Sequence, residues 1–128
     1  MAFVRILVDT SVWVNHFRTS DATLSGLLRE GQVCMHPFVL GELALGGVRQ
    51  ADAAFEALQG LPRMDAALDQ EVLTLIARQN LAGRGIGYVD AHLMTSVFLT
   101  PGSRLWTQDQ RLHEVATSLG RDVPFGVY

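Results

Sequence analysis

Four acidic residues of this chain sit where a folded protein has least use for a charge. Asp9 ends the apolar run Phe3-Val4-Arg5-Ile6-Leu7-Val8, and Glu42 lies inside Pro37-Phe38-Val39-Leu40-Gly41-Glu42-Leu43-Ala44-Leu45. Asp90 follows Gly85-Ile86-Gly87-Tyr88-Val89, and Asp109 follows Leu105-Trp106-Thr107-Gln108. Desolvating an unpaired carboxylate is costly, so acids in such settings need a partner. A shared divalent cation would serve all of them at once. Oxygen-only donors suit Mg²⁺ or Mn²⁺ rather than Zn²⁺, for which no Cys/His pair lies at ligand spacing. Such an ion polarises a phosphoryl oxygen and acidifies a bound water, and two ions about 4 Å apart can stabilise both oxygens of an in-line displacement. The reaction implied is phosphodiester hydrolysis.

Taken singly, each residue has a plainer role. Asp9 before Thr10-Ser11 can cap a helix, Asp90 and Asp109 gain from a helix dipole, and Glu42 can face solvent. The combination, with an apolar lead-in to each acid, favours a site. Thr10, Ser11 and Thr107 are candidate supports for the carboxylates, although singly such hydroxyls are more often caps and turns. The histidines at 16, 36, 92 and 113 are dispersed, and His92 is expected to pack. Trp13 and Phe17, at i and i+4, are expected in the core or a subunit interface.

Elements must bring these acids together. Residues 3–8 read as a buried parallel-type strand, 10–18 and 21–30 as helices, and 32–35 as a second strand. A helix opens at Pro37 and ends at Gly46-Gly47. Further helices are expected over 50–59, 67–82, 89–99 and 110–119, with a strand over 104–107. The tail 122–125 adds a candidate edge strand that Pro124 weakens. Strands alternating with helices predict an α/β domain, a short parallel sheet with helices on both faces, spanning 1–128 as one unit. Asp9 and Asp109 would then project beyond the carboxyl edge of the sheet, where such folds place ligand sites.

Composition narrows the chemistry further. The chain has 128 residues, 48% of them apolar, enough for a real core. All ten basic residues are arginine, which removes lysine-based mechanisms such as a Walker-type phosphate loop or a Schiff base. The net charge of −3 decides nothing about nucleic acid, because outside the four acids the balance is +1. No apolar run is long enough to span a membrane. Asp9 interrupts the early apolar run with no cleavage site after it, and Cys34 stands alone as a small core residue, so a cytoplasmic protein is expected.

The blocks Val8-Asp9-Thr10-Ser11-Val12-Trp13, His36 to Gly46, Gly83 to Leu93 and Leu105-Trp106-Thr107-Gln108-Asp109-Gln110-Arg111-Leu112 run in an order and spacing that resemble a PIN-domain ribonuclease. Within that family the chain looks like the toxin half of a VapBC-type toxin–antitoxin pair. The resemblance covers nearly the whole chain and is strong because several blocks agree. It implies a cleft holding Mg²⁺ or Mn²⁺ on Asp9, Glu42, Asp90 and Asp109, and a metal-dependent endoribonuclease that cuts RNA and inhibits translation. It also implies a small cognate antitoxin and a homodimer. The antitoxin is expected to block the acids with an arginine or lysine, or to cover the apolar surfaces of residues 10–30 and 50–60. The alternative is a non-catalytic PIN-like module that binds RNA or protein, and the presence of all four acids counts against it. A haloacid-type phosphatase needs a second Asp where this chain has Ser11, and a receiver-type switch needs a lysine; a flap- or RNase H-type nuclease would use similar acids, but the short chain without insertions for a helical arch counts against it.

Overall fold

The computed structural model describes residues 4–49 and 51–125. Along them run β1 (Arg5–Val8), α1 (Thr10–Arg18), α2 (Ala22–Arg29), β2 (Val33–Cys34) and α3 (Pro37–Leu45). Then follow α4 (Ala53–Gln59), α5 (Asp69–Arg78), α6 (Tyr88–Leu99), β3 (Ser103–Trp106) and α7 (Gln110–Ser118). The strands form one parallel sheet in the order β2-β1-β3. Leu7 lies level with Cys34 on one side and Leu105 on the other. Successive side chains of a strand point to opposite faces, and Ile6, Leu7 and Val8 are all buried. Both faces of the sheet are therefore covered, which is why β1 reads as an unbroken apolar run instead of an alternating one.

Helix α6 shows the same logic in helical form. Ala91 to Val97 are buried without interruption, so this helix has no solvent stripe and runs through the interior. It packs against β3 and α5, fixing where its first turn, and with it Asp90, meets the sheet edge. On α3, Pro37 occupies the first turn, and His36 caps it by accepting from the Phe38 N–H at 3.0 Å through Nδ1. His36 Nε2 lies 3.0 Å from the Ser96 hydroxyl, and burial with His92 nearby pushes the imidazole down to about 4. A neutral His36 therefore ties α3 to α6.

Several elements are shorter than the sequence pattern predicts. The second strand keeps only Val33 and Cys34, and Met35 instead bridges to the segment at Arg63. The helix predicted over 67–82 stops at Arg78, because Asn80 takes a left-handed conformation (φ 54°) that ends the turn. The tail strand over 122–125 does not form. Leu105 makes a single bridge to Asp122, after which Pro124 and Phe125 turn away, proline having no N–H to extend a ladder. Phe3 and Gln50, the first residues of two predicted elements, lie outside the described residues. Trp13 is core, 2% exposed, whereas Phe17, one turn on, is 45% exposed. Cys34 is buried in the core, and burial raises its thiol pKa, as suits a packing role.

Candidate active site

With β1 central, the chain leaves it toward β2 on one side and returns through β3 on the other, so strand order reverses between β1 and β3. The loops leaving those two strands meet there. The Asp9 N–H donates to the Trp106 carbonyl at 2.9 Å, which locks the ends of β1 and β3 together. Asp9 is 6% exposed and caps α1, its Oδ1 accepting from the Thr10 N–H at 2.8 Å. Its Oδ2 accepts from the Ser11 hydroxyl at 2.9 Å and the Thr107 hydroxyl at 2.7 Å. Each hydroxyl also accepts a backbone N–H from the β3 side: Ser11 from Gln108 at 3.0 Å, and Thr107 from Asp109 at 3.0 Å. Asp109 then caps α7, accepting from the Arg111 and Leu112 N–H groups at 2.9 and 3.2 Å.

Glu42 and Asp90 reach this edge from the helices. The Thr10 hydroxyl donates to Glu42 Oε1 at 2.6 Å, joining α1 to α3. Asp90, in the first turn of α6, accepts from the Gly87 N–H at 3.1 Å. Burial raises the Asp90 pKa most; the Gly87 hydrogen bond opposes this, and the charges of Asp9, Asp109 and Glu42 raise it further. One carboxyl thus feels all of the other three. The structure brings the predicted acids into one neighbourhood.

Their burial differs from the expectation. Asp9 is buried and Asp90 half-buried, but Glu42 and Asp109 are exposed. An apolar stretch around a residue does not bury it when the helix shows one side to water: Leu45, on the same helix as Glu42, is 91% exposed. Among the described residues, no three His, Cys, Asp or Glu side chains are gathered tightly enough to hold an ion as they stand. The hydrogen bonds give the physical reason. Asp90, Asp109 and Glu42 are each turned toward a local donor, so binding an ion would exchange those bonds for ligation. The donor set still fits a hard divalent cation, since it is all carboxylate and its members repel one another around Asp90.

Thr10, Ser11 and Thr107 do more than the capping and turn roles that such hydroxyls commonly have. All three touch an acid of the cluster, and the signal lies in their adjacency, in Asp9-Thr10-Ser11 and Thr107-Gln108-Asp109. His92 packs, as expected, against Phe38 and Tyr88. It also bonds Asp69 Oδ1 at 2.9 Å, and the Tyr88 hydroxyl donates to the same oxygen at 3.1 Å. Asp69 therefore clasps α6 on both sides of Asp90. No sequence spacing links Asp69 to either partner.

Residues 6–118 match the profile described as PIN domain. The chain belongs to the PIN-domain family. This PIN domain is 46% identical over 115 residues to Ribonuclease VapC32 of Mycobacterium tuberculosis, covering 90% of this chain and 93% of the relative. The same protein matches equally from two strains, CDC 1551 / Oshkosh and H37Rv. Among solved structures, PAE2754 from Pyrobaculum aerophilum superposes with a TM-score of 0.58. At 20% identity, covering 92% of this chain and 88% of that one, the likeness concerns the fold.

Proposed function

We propose that this PIN domain is a VapC-type endoribonuclease, the toxin of a toxin–antitoxin pair, which hydrolyses RNA phosphodiester bonds and so inhibits translation. The family and the extended identity to a named VapC ribonuclease support the activity. The observation that carries the site is the hydrogen-bonded junction at the sheet edge, where Ser11 and Thr107 both donate to Asp9 and the neighbouring Thr10 donates to Glu42. In this reading Asp9, Glu42, Asp90 and Asp109 are the catalytic set and would hold Mg²⁺ or Mn²⁺. A bound ion of that kind supplies a polarised phosphoryl oxygen and a water acidic enough to attack it at neutral pH. The chain's residues do the positioning. Ser11 and Thr107 both place their protons on Asp9 Oδ2, which fixes that carboxylate at the sheet edge. Glu42 holds the Thr10 hydroxyl through Oε1 and is exposed, so its second oxygen is free to turn toward a ligand or a water.

The partners follow from the same reading: RNA as substrate and a cognate antitoxin as inhibitor. An apolar groove of about 220 Å³ is lined by Trp13, His16 and Phe17 of α1, Leu28 of α2 and Leu58 of α4. Phe17 also lines a neighbouring groove of about 310 Å³, which Glu42 lines too. An antitoxin segment seated on the first would be led to the acids by the second. The family resemblance adds a homodimer to this reading. No helix among the described residues is long and apolar enough to cross a membrane, and the lone Cys34 suits a reducing cytoplasm.

Expression of this chain alone in a bacterial host is expected to arrest growth and deplete a discrete RNA. Co-expression of the antitoxin should restore both. A folded chain that is harmless when expressed alone would refute the toxin reading and favour a non-catalytic module.

A further inference from the structure

Arg111 is the second residue of α7, and its backbone N–H caps onto Asp109, so its side chain starts at the acid cluster. The side chain then lies across the backbone of Gly85. A Cβ at Gly85 would stand 2.5 Å from Arg111 Cδ and 2.6 Å from Nη1, closer than any such contact allows. Gly85 also has φ +82°, where a side chain is strained. A larger residue at Gly85 would have to push this side chain aside.

What the guanidinium does there is not spent on the fold. Arg104 donates to the carbonyls of Gly120 and Asp122, and Arg121 to those of Val97, Thr100 and Phe98; these arginines brace the structure. The side chain of Arg111 has no hydrogen-bond partner and no carboxylate partner among the described residues, where the ion pairs are Arg49–Asp52 and His92–Asp69. It is exposed, and the charges acting on Asp90 are the other acids, with no guanidinium among them. A guanidinium without a partner, two residues beyond Asp109, is available for an anion from outside.

We propose that Arg111 is a phosphate-binding residue of the cleft, gripping an RNA backbone phosphate adjacent to the one that is cut. The inference rests on the ribonuclease reading. The chemistry favours phosphate because a guanidinium presents a planar fork to two phosphate oxygens and is weakly hydrated. The need is specific to this chain, which has no lysine and whose acids repel RNA. Gly85 leaves the room in which the side chain of Arg111 lies over the loop.

The test compares Arg111→Ala and Arg111→Lys with the wild-type protein. A structured RNA is cleaved in Mn²⁺ at several salt concentrations, alongside thermal unfolding and Mn²⁺ binding. Arg111→Ala should raise KM about tenfold and lower the slope of log KM against log salt by about one phosphate contact. Its kcat at saturating RNA, Mn²⁺ affinity and melting temperature should stay near wild type. Arg111→Lys should recover most of the salt slope but only part of the affinity, because it keeps the charge and loses the fork. An unchanged KM and salt slope would overturn the proposal, as would a loss of melting temperature matched by loss of kcat, the mark of a strut. A variant that cuts normally but escapes the antitoxin would assign Arg111 to protein recognition and equally overturn it. A wild-type protein that cuts no RNA would instead refute the ribonuclease reading itself.

Discussion

Asp90→Asn is expected to lower RNA cleavage by at least about a hundredfold while leaving the metal-free fold as stable as the wild type or more so. Asn keeps the size of the side chain and an oxygen for the Gly87 N–H, so the first turn of α6 keeps its cap. What it deletes is the charge. The stability expectation follows from the direction of the pKa shift. Asp90 is raised by burial and by three acids, so the folded protein binds that proton more tightly than the unfolded chain. Stability is gained as pH falls through the raised value and is absent above it, which makes ionised Asp90 a cost to the metal-free fold at neutral pH. Thermal unfolding in chelator across pH 4 to 8 checks this. The wild type should gain stability toward acid relative to Asp90→Asn, and the two curves should converge there. If Asp90 were only a cap, the substitution would be nearly silent in both assays.

Asp9→Ala is expected to remove both activity and stability. It deletes the cap of α1, worth about 1 kcal/mol, and leaves the buried Thr107 hydroxyl without its acceptor, at about 1–3 kcal/mol. The combined loss is about 2–4 kcal/mol, read in urea unfolding as a lower midpoint with an unchanged slope. Asp9→Asn should keep most of the cap and lose less stability, yet be as inactive as Asp9→Ala. That contrast separates the charge of Asp9 from its structural bonds. Asp90 and Asp9 thus occupy opposite positions: one is a cost to the empty fold, the other supports it.

Much of the candidate site was legible because it rests on acids at strand ends. Asp9 follows a run whose every residue from Ile6 to Val8 is buried, and Asp109 follows a strand that pairs with that run, so both lie at the same edge of the sheet. Glu42 was legible by type and position but not by burial, since an apolar helix such as α3 can still turn one side to water. The ends of elements were less legible. Two residues suffice for β2 once Met35 finds a partner at Arg63, and nothing local encodes that distant bridge. The Asp69 clasp on Tyr88 and His92 was hidden for the same reason, being a contact between helices with no spacing to betray it. The fit of Arg111 over Gly85 was equally unreadable, because a glycine in a Gly-Arg-Gly-Ile-Gly loop looks like any other until a side chain is found lying on it.

The role proposed for the four carboxylates together is to hold the metal with which this PIN domain cuts RNA. It is tested most directly by stripping wild type and Asp90→Asn with chelator, adding back Mg²⁺ or Mn²⁺, and following cleavage of an end-labelled structured RNA. The stripped wild type should not cleave, either ion should restore full cleavage, and Asp90→Asn should not recover at the same concentrations. Undiminished cleavage by wild type in excess chelator, or wild-type rates from Asp90→Asn, would contradict it.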